Sequence, residues 1–465
     1  MGTNMLYNRI YNTLRASPDF LRKLLYMIPL EYRLGGKPFI DTYNLLKETE
    51  HWTQKQLYQY QAKQLQHLLS QAVNHTKFYA KISLSSDPYR SLQLFPLIDK
   101  DTIQENFDDF QSDNIPRKNT YYVTTGGTSG NTLGFYLDNA TIGKEWAFIM
   151  TGWRQVGFTP GDRIVSFRGV ECKNAKKKKF WQDNPIYNML EMSTFHMSED
   201  NLPRYVEKIK QFKPSYIHGY PSAITLLAHY LLKTEESLPS IKAILAISEN
   251  IYMGQRELIE KAFNARLFSF YGMSEKTIMA HECEYDTRYH AFLEYGVTEI
   301  LHKDGTPVAE GEQGELVGTG FLNHCLPFIR YRTGDYATLS RQTCRCGRPY
   351  LIFENLRGRW YQEMILGKSG ALISLAALNL HSDAFRNVHR FQLHQNQQGK
   401  ITLKLMPKST FKEEDKEKIR DAFHKKIGDD LDIAIKEVED IELTERGKSK
   451  LFIQELKLGY EDYEY

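Results

Sequence analysis

The sequence predicts an α/β protein in two unequal parts: a large N-terminal α/β domain over residues 1–359 and a small α+β domain over 360–465. Three observations predict it. Short β-like runs alternate with helical stretches between residues 120 and 335, the pattern of an α/β architecture. The texture changes after residue 360, where a hairpin, one helix and a last strand follow in a stretch of about a hundred residues, a usual domain size. The chain has 465 residues, 41% of them hydrophobic, which is long for one ordinary domain and rich enough for more than one core.

Taken in order, residues 51–80 read as one long helix, with Trp52, Leu57, Tyr60, Leu65, Leu68, Leu69 and Val73 forming an apolar stripe. Strands are expected over 163–167, 216–218, 243–247 and 266–270, with helices over 222–232 and 254–263 between them. In the small part, 391–394 and 401–405 flank a Gln/Gly turn and form a hairpin. Thr410-Phe-Lys-Glu413 then reads as a capping box, each side chain satisfying the other's backbone donor. Ile419, Ala422, Phe423 and Ile427 follow at helical spacing, Gly428 ends that helix, and 433–437 is a strand. The boundary is placed at 358–361.

Charge excludes some partners. The formal net charge is +3 against 60 basic and 57 acidic residues, so nothing drives general counterion release and no nucleic-acid partner is expected. The longest apolar run near the N-terminus, Leu24–Leu30, is far too short to span a bilayer. Residues 1–34 show no signal-peptide arrangement and position 6 is not Ser or Thr, so a cytoplasmic location is the expectation. Five cysteines, two of them packed as Cys344-Arg-Cys346, suggest metal binding in a reducing compartment more than a disulfide framework.

Tyr121-Tyr-Val-Thr-Thr-Gly-Gly-Thr-Ser-Gly-Asn-Thr132 follows a β-like start. Gly126, Gly127 and Gly130 permit consecutive backbone N–H groups to face one anion, and Thr124, Thr125, Thr128, Ser129 and Thr132 add hydroxyl donors. No Gly-Lys-Ser/Thr follows, so this is not a Walker A loop. A flexible polar turn is the competing reading.

Further pieces follow along the chain. Tyr271-Gly272-Met273-Ser274-Glu275 comes at a strand end, where α/β proteins place ligand sites. Glu275 offers a hard oxygen for Mg²⁺ at phosphates and Tyr271 a ring for a base; an ordinary strand-end turn competes. Tyr331-Arg-Thr-Gly-Asp335 carries a carboxylate able to accept from both hydroxyls of a ribose, against the rival of a surface turn with an Arg–Asp pair. Leu356-Arg-Gly-Arg-Trp360 puts Arg359 at the boundary, and Arg446-Gly-Lys-Ser-Lys450 offers Lys448 or Lys450 near the C-terminus. Cys283, His290, Cys344 and Cys346 are ligand types that suit tetrahedral Zn²⁺, but their spacing is not that of a zinc finger.

In this order the pieces resemble the adenylate-forming superfamily of acyl-CoA synthetases, luciferases and peptide-synthetase adenylation domains. Within it, the chain is similar to the phenylacetate-CoA ligase-like branch that includes CapK-type capsular polysaccharide biosynthesis proteins. The helix beginning at Trp52 with its Gln-rich face, the Gly-Gly-Thr-Ser-Gly loop, Ile329-Arg-Tyr-Arg-Thr-Gly-Asp335 and Arg390-Phe-Gln-Leu-His-Gln395 carry the resemblance, which extends over nearly the whole chain.

The resemblance implies a small mobile C-terminal lid domain with the active site between the two parts. It also implies ATP and Mg²⁺ as cofactors and a carboxylic acid that becomes an acyl-adenylate as pyrophosphate leaves. Residues 124–132 would hold the β- and γ-phosphates, Glu275 the Mg²⁺, Asp335 the ribose and Arg359 the ribose or phosphate. Lys448, with Lys450 as the other register, would neutralise charge gathering between carboxylate and α-phosphate. Glu249 matches an element lining the nucleotide pocket in relatives; a carboxylate at a helix N-terminus is equally expected there. His218-Gly-Tyr-Pro-Ser222 matches the acyl-pocket wall, with a capping Ser222 as rival. Relatives carry a similar Cys…His…Cys-x-Cys-Gly set, which favours a structural Zn²⁺ on Cys283, His290, Cys344 and Cys346, with His281 as substitute ligand.

Two departures stand out: Tyr361 at the hinge position, and Asn131-Thr132-Leu133 where many relatives have a basic residue. The acceptor would be a sugar precursor, an amine or CoA. Lys173 and Lys176 to Lys179, next to Phe180 and Trp181, could meet a membrane surface or a lipid-linked substrate, though such a run is commonly a solvated loop. Rival readings are an aryl or acyl-CoA ligase and a non-catalytic nucleotide-binding scaffold.

Overall fold

The computed structural model describes residues 27–125, 133–170, 172, 178–251, 254–357, 364–378, 383–441 and 451–456. Among the described residues, twelve strands of the large part form one sheet. Its centre is parallel: Ile164–Phe167, Tyr216–Gly219, Ala243–Ala246 and Arg266–Gly272 lie side by side, with Ile164 against Tyr216, Tyr216 against Ala243 and Ala243 against Arg266. The first three of these strands are buried at every position, as expected where helices cover both faces of a parallel sheet. Helices Leu202–Phe212, Pro221–Thr234 and Gln255–Phe263 provide connections and cover.

Arg266–Gly272 is the seam of the sheet. Residues 266–269 pair parallel with Ala243–Ala246, and 270–272 pair antiparallel with Met279–His281. The expected α/β alternation therefore stops at Gly272 rather than continuing to 335. Beyond it lie Tyr289–Ala291, Leu351–Arg357, Tyr331–Ser340, Gln313–Gly320 and Gly296–Leu301, each antiparallel to its neighbour. Tight turns permit this. Asp304 accepts the Thr306 N–H at 3.0 Å and Gly305 takes φ +87°, leaving no room for a crossover helix.

The long helix is Gln54–His75, shorter at both ends than 51–80. Thr53 and Gln56 exchange capping bonds at its start, and Thr76 leaves it in extended conformation. Leu57, Leu65, Leu68 and Leu69 are buried as the stripe requires. So is Gln61, which donates to the Gly296 carbonyl at 2.7 Å and accepts from Tyr89 Oη at 2.8 Å. This polar residue inside an apolar face ties the helix to the edge of the sheet.

Among the described residues of the small part, a four-stranded sheet carries helix Glu413–Ile427, which buries Ile419, Phe423 and Ile427, and Met364–Leu366 pairs separately with Leu372–Ser374. Val388–Gln397 and Lys400–Pro407 form the expected hairpin, flanked by Asp432–Glu437 and Phe452–Gln454, each parallel to its neighbour. Gly428 ends the helix at φ +67°. The capping box differs from the expected Thr410/Glu413 pair. The helix starts two residues later, Asp415 accepts the Lys412 N–H at 3.0 Å, and the Thr410 hydroxyl lies 3.0 Å from Asn387 Oδ1 instead. The expected boundary at 358–361 lies outside the described residues, as does Tyr361. No helix among the described residues is long and apolar enough to cross a membrane.

Candidate active site

The two aromatic–acidic motifs meet at the seam. Tyr271 donates from its hydroxyl to Asp335 Oδ2 at 2.8 Å, and Tyr331 donates to Glu275 Oε1 at 2.9 Å. Each motif thus opens with a tyrosine that holds the other motif's acid. Burial first, and the Asp335 charge second, raise the Tyr271 pKa well above its usual value, so its phenol stays a neutral donor. Its ring is only 8% exposed and stands edge-on to Phe353, so its contact here is to the acid and not to an open aromatic face. Glu275 is 6% exposed. Gly334 adds a backbone bond to Glu315, and the Asp335 N–H donates to Thr333 Oγ1 at 3.0 Å, which fixes the turn of the carboxylate.

The arginines of Ile329-Arg-Tyr-Arg-Thr-Gly-Asp335 hold the strand in place. Arg330 makes a two-pronged pair with Glu299 at 3.1 and 3.0 Å, and Arg332 pairs with Glu315 at 2.7 Å. The segment is a strand, Tyr331–Ser340, rather than the rival surface turn. Gly320 lets the Glu275 segment approach: a Cβ there would sit 2.1 Å from the Lys276 carbonyl oxygen, so only glycine fits. Lys276, at φ +59°, reaches Glu145 at 3.1 Å, and Glu145 also accepts from Tyr295 Oη at 3.0 Å. Sequence reasoning missed the bracing roles of Tyr331, Lys276 and Glu145. A signal for the first was present, since both motifs place a tyrosine four residues before an acid.

The glycine–hydroxyl loop hangs from a hairpin, Thr120–Thr124 paired with Gly134–Asp138. Thr125 closes its neck: its N–H donates to the Leu133 carbonyl at 2.8 Å and its hydroxyl accepts the Leu133 N–H at 3.2 Å. Gly126, Gly127, Thr128, Ser129, Gly130 and Thr132 lie outside the described residues, as do Arg359, Lys448, Lys450 and Lys173, Lys176 and Lys177.

Glu249 sits where the rival reading expects it, as a carboxylate at a helix N-terminus. It accepts from the N–H and hydroxyl of Ser222 at 2.9 and 3.0 Å, at the N-terminal turn of Pro221–Thr234, with Ser374 of the small part beside it. Burial raises its pKa and the Ser222 bonds oppose the shift. Ser222 is not the cap itself, because Pro221 already occupies the first helical turn after Tyr220. His218 is a core residue, 2% exposed, with Nδ1 2.9 Å from the Leu245 carbonyl and its ring edge-on to Trp153. Burial, aided by Arg168, lowers its pKa to about 3, so it is neutral. Gly219 beside it has φ +152°, and a Cβ would lie 2.3 Å from the Phe167 carbonyl.

Some distance along the antiparallel half, Cys283, His290, Cys344 and Cys346 place one ligand atom each within 4.8 Å of one another. The sulfurs of Cys283 and Cys344 are 3.4 Å apart, well beyond a disulfide bond of about 2.05 Å, and Cys346 Sγ lies 3.5 Å from His290 Nε2. These spacings approach the edges of a tetrahedron with metal–sulfur bonds of about 2.3 Å. His290 Nδ1 lies 3.0 Å from the Arg288 carbonyl, which orients the ring with Nε2 toward the thiols, and burial favours its neutral form. His281 turns its Nδ1 to the Glu282 carbonyl and is not one of the four.

Residues 365–455 match the family described as the CapK C-terminal domain. Over 356 residues the chain is 26% identical to Protein CapK of Staphylococcus aureus, spanning 72% of this chain and 74% of that protein. It is 28% identical over 184 residues to a phenylacetate-coenzyme A ligase of Thermus thermophilus, covering 38% of this chain and 41% of the ligase. It is 26% identical over 297 residues to that of Escherichia coli, covering 61% and 66%. Among solved structures, 2-hydroxyisobutyryl-CoA ligase with its adenylate and CoA in the thioesterification state superposes with a TM-score of 0.53 at 18% identity. That match covers 85% of this chain and 89% of the other, and it supports the fold. The postadenylation state of the same ligase gives a TM-score of 0.52 at 17% identity, with the same coverage of each chain. These matches support the resemblance to the phenylacetate-CoA ligase-like, CapK-type branch of the adenylate-forming superfamily, and residues 365–455 carry the match to the CapK C-terminal domain.

Proposed function

We propose that this protein is an AMP-forming ligase that activates a carboxylic acid with ATP and then hands the acyl group to an acceptor. One observation carries the reading. The crossed Tyr271–Asp335 and Tyr331–Glu275 pairs bring a ribose-type and a metal-type carboxylate together at the C-terminal end of the parallel strands. Attack of a carboxylate on the α-phosphorus demands alignment and charge neutralisation more than proton transfer, which suits such a set. Asp335 accepts from the ribose hydroxyls, and Glu275 holds Mg²⁺, which supplies positive charge at the phosphates. Residues 124–132 cradle the β- and γ-phosphates, Arg359 meets the ribose or α-phosphate, and Lys448 supplies the cation for the charge shared between carboxylate and α-phosphate.

CoA is the acceptor favoured by the ligase relatives; an amine or hydroxyl on a sugar precursor is the acceptor the CapK resemblance implies. Exchange of labelled pyrophosphate into ATP, screened over candidate acids, tests the reading. Acid-dependent exchange is expected. ATP binding without exchange for any acid would point to a non-catalytic scaffold. CoA consumption with the responding acid then separates the two acceptors.

Cys283, His290, Cys344 and Cys346 hold a structural Zn²⁺ in this account, tying Tyr289–Ala291 to the loop before Leu351–Arg357. With four protein ligands it has no open position for substrate and acts on folding alone. Gently purified protein is expected to carry about one zinc per chain, and Cys344→Ser to lower the thermal midpoint by several degrees. Less than half-stoichiometric zinc, or an unchanged midpoint, contradicts this assignment.

A further inference from the structure

The parallel half of the sheet has a charged residue at its edge that the crossed tyrosine–acid pairs do not use. Pairing of Phe167 with Gly219 puts Arg168 beside Tyr220, just past the C-terminal ends of their strands. Gly219 against Ala246 and Ala246 against Ser269 continue the row toward Tyr271. Arg168 therefore stands on the same edge as Tyr271 and Glu275, three strand spacings or about 14 Å from Tyr271. The arginine is exposed, and its guanidinium donates to the Tyr220 hydroxyl. Tyr220 is itself buried at the start of helix Pro221–Thr234, so it steadies the guanidinium from the core side. Among the described residues no carboxylate pairs with Arg168, whereas Arg154, Arg256 and Arg330 of the same domain each pair with a glutamate. The neighbouring groups are neutral or engaged. His218 is neutral, since burial first and Arg168 second lower its pKa to about 3, and both oxygens of Glu249 are taken by Ser222. Beyond Arg168 the sequence adds Lys173 and Lys176 to Lys179 against one acid, Glu171, which raises the positive charge near this edge.

We propose that the acid this enzyme activates carries a second negative group, a carboxylate or a phosphate, and that Arg168 receives it. The reacting carboxylate belongs at the Tyr271 end of the edge, beside the acids assigned to the nucleotide. A substrate lying across the strand ends then brings its far end to Arg168. The guanidinium offers a planar fork of donors that either oxyanion can accept, and an uncharged tail would leave it unpaired. This substrate class rests on the adenylation reading.

The test compares matched acids in pyrophosphate exchange by the full chain: octanoate against octanedioate and ω-phosphonooctanoate, and phenylacetate against para-carboxyphenylacetate. In at least one set the dianionic acid is expected to exceed its monoanionic partner in kcat/KM by about tenfold or more. In Arg168→Ala that preference falls by about tenfold, chiefly through the KM of the dianion. Arg168→Lys keeps part of it, because an ammonium holds the charge without the fork. Lys233→Ala, at the far end of Pro221–Thr234 and paired with Glu199, changes the preference by less than about twofold. A response to octanedioate or para-carboxyphenylacetate assigns a carboxylate; a response to ω-phosphonooctanoate alone assigns a phosphate. Thermal midpoints matching wild type confirm that the variants fold. Monoanions that match their dianionic partners, or an unchanged preference in folded Arg168→Ala, overturn the proposal while adenylation stands. Absence of exchange with every acid removes the adenylation reading, and thermal shift with the same acids then decides the anion site. Stabilisation by a dianion that Arg168→Ala loses sustains it; no such stabilisation overturns it.

Discussion

Glu275→Gln is expected to lower pyrophosphate exchange by about two to three orders of magnitude, the loss typical of removing one well-placed electrostatic group. Glutamine keeps the volume and an acceptor for Tyr331, which donates to Glu275 at 2.9 Å, so the thermal midpoint should hold. What disappears is the charge that holds Mg²⁺, and the defect should ease only partly as Mg²⁺ is raised. Tyr331→Phe separates bracing from charge. It leaves the carboxylate and removes one hydrogen bond to it, a loss of about tenfold. Steady-state exchange against Mg²⁺ and ATP concentration checks both variants. Wild-type exchange by Glu275→Gln would remove this residue from the chemistry.

Lys448→Ala is expected to abolish most adenylation, by about three orders of magnitude, while ATP binding stays mostly intact. A cation that meets the charge shared between carboxylate and α-phosphate acts chiefly in the transition state, so its removal lowers kcat rather than affinity. The neighbouring Lys450→Ala should retain exchange. Single-turnover adenylation together with ATP binding measures the two effects separately. Normal adenylation by Lys448→Ala with an inactive Lys450→Ala moves the role two residues along the chain.

Some of this was legible in the sequence and some was not, for physical reasons. The parallel strands announced themselves because both faces are covered, which makes Ala243–Ala246 an unbroken apolar run and leaves His218 as the polar interruption in Tyr216–Gly219. The antiparallel half stayed hidden, since a strand such as Gly296–Leu301 is half-buried without clean alternation and pairs through tight turns. The motif acids could be named as ligand types from chemistry alone. Their braces could not, because Tyr271 and Asp335 are 64 residues apart in sequence and Tyr331 and Glu275 are 56. Gln61 looked like part of a polar helix face, and only its bond to Gly296, 235 residues away, explains why it is buried. Likewise Cys283 and Cys344, separated by 61 residues, come together only through strand pairing.

The claim underneath is that Glu275 and Asp335 face one bound nucleotide. A crystal structure of the full chain with Mg²⁺ and α,β-methylene ATP tests it without knowledge of the acid. Both ribose hydroxyls are expected within hydrogen-bond reach of the Asp335 carboxylate, with a magnesium ion between Glu275 and the phosphates. A nucleotide bound elsewhere, with both carboxylates still engaged only by Tyr271 and Tyr331, would contradict it.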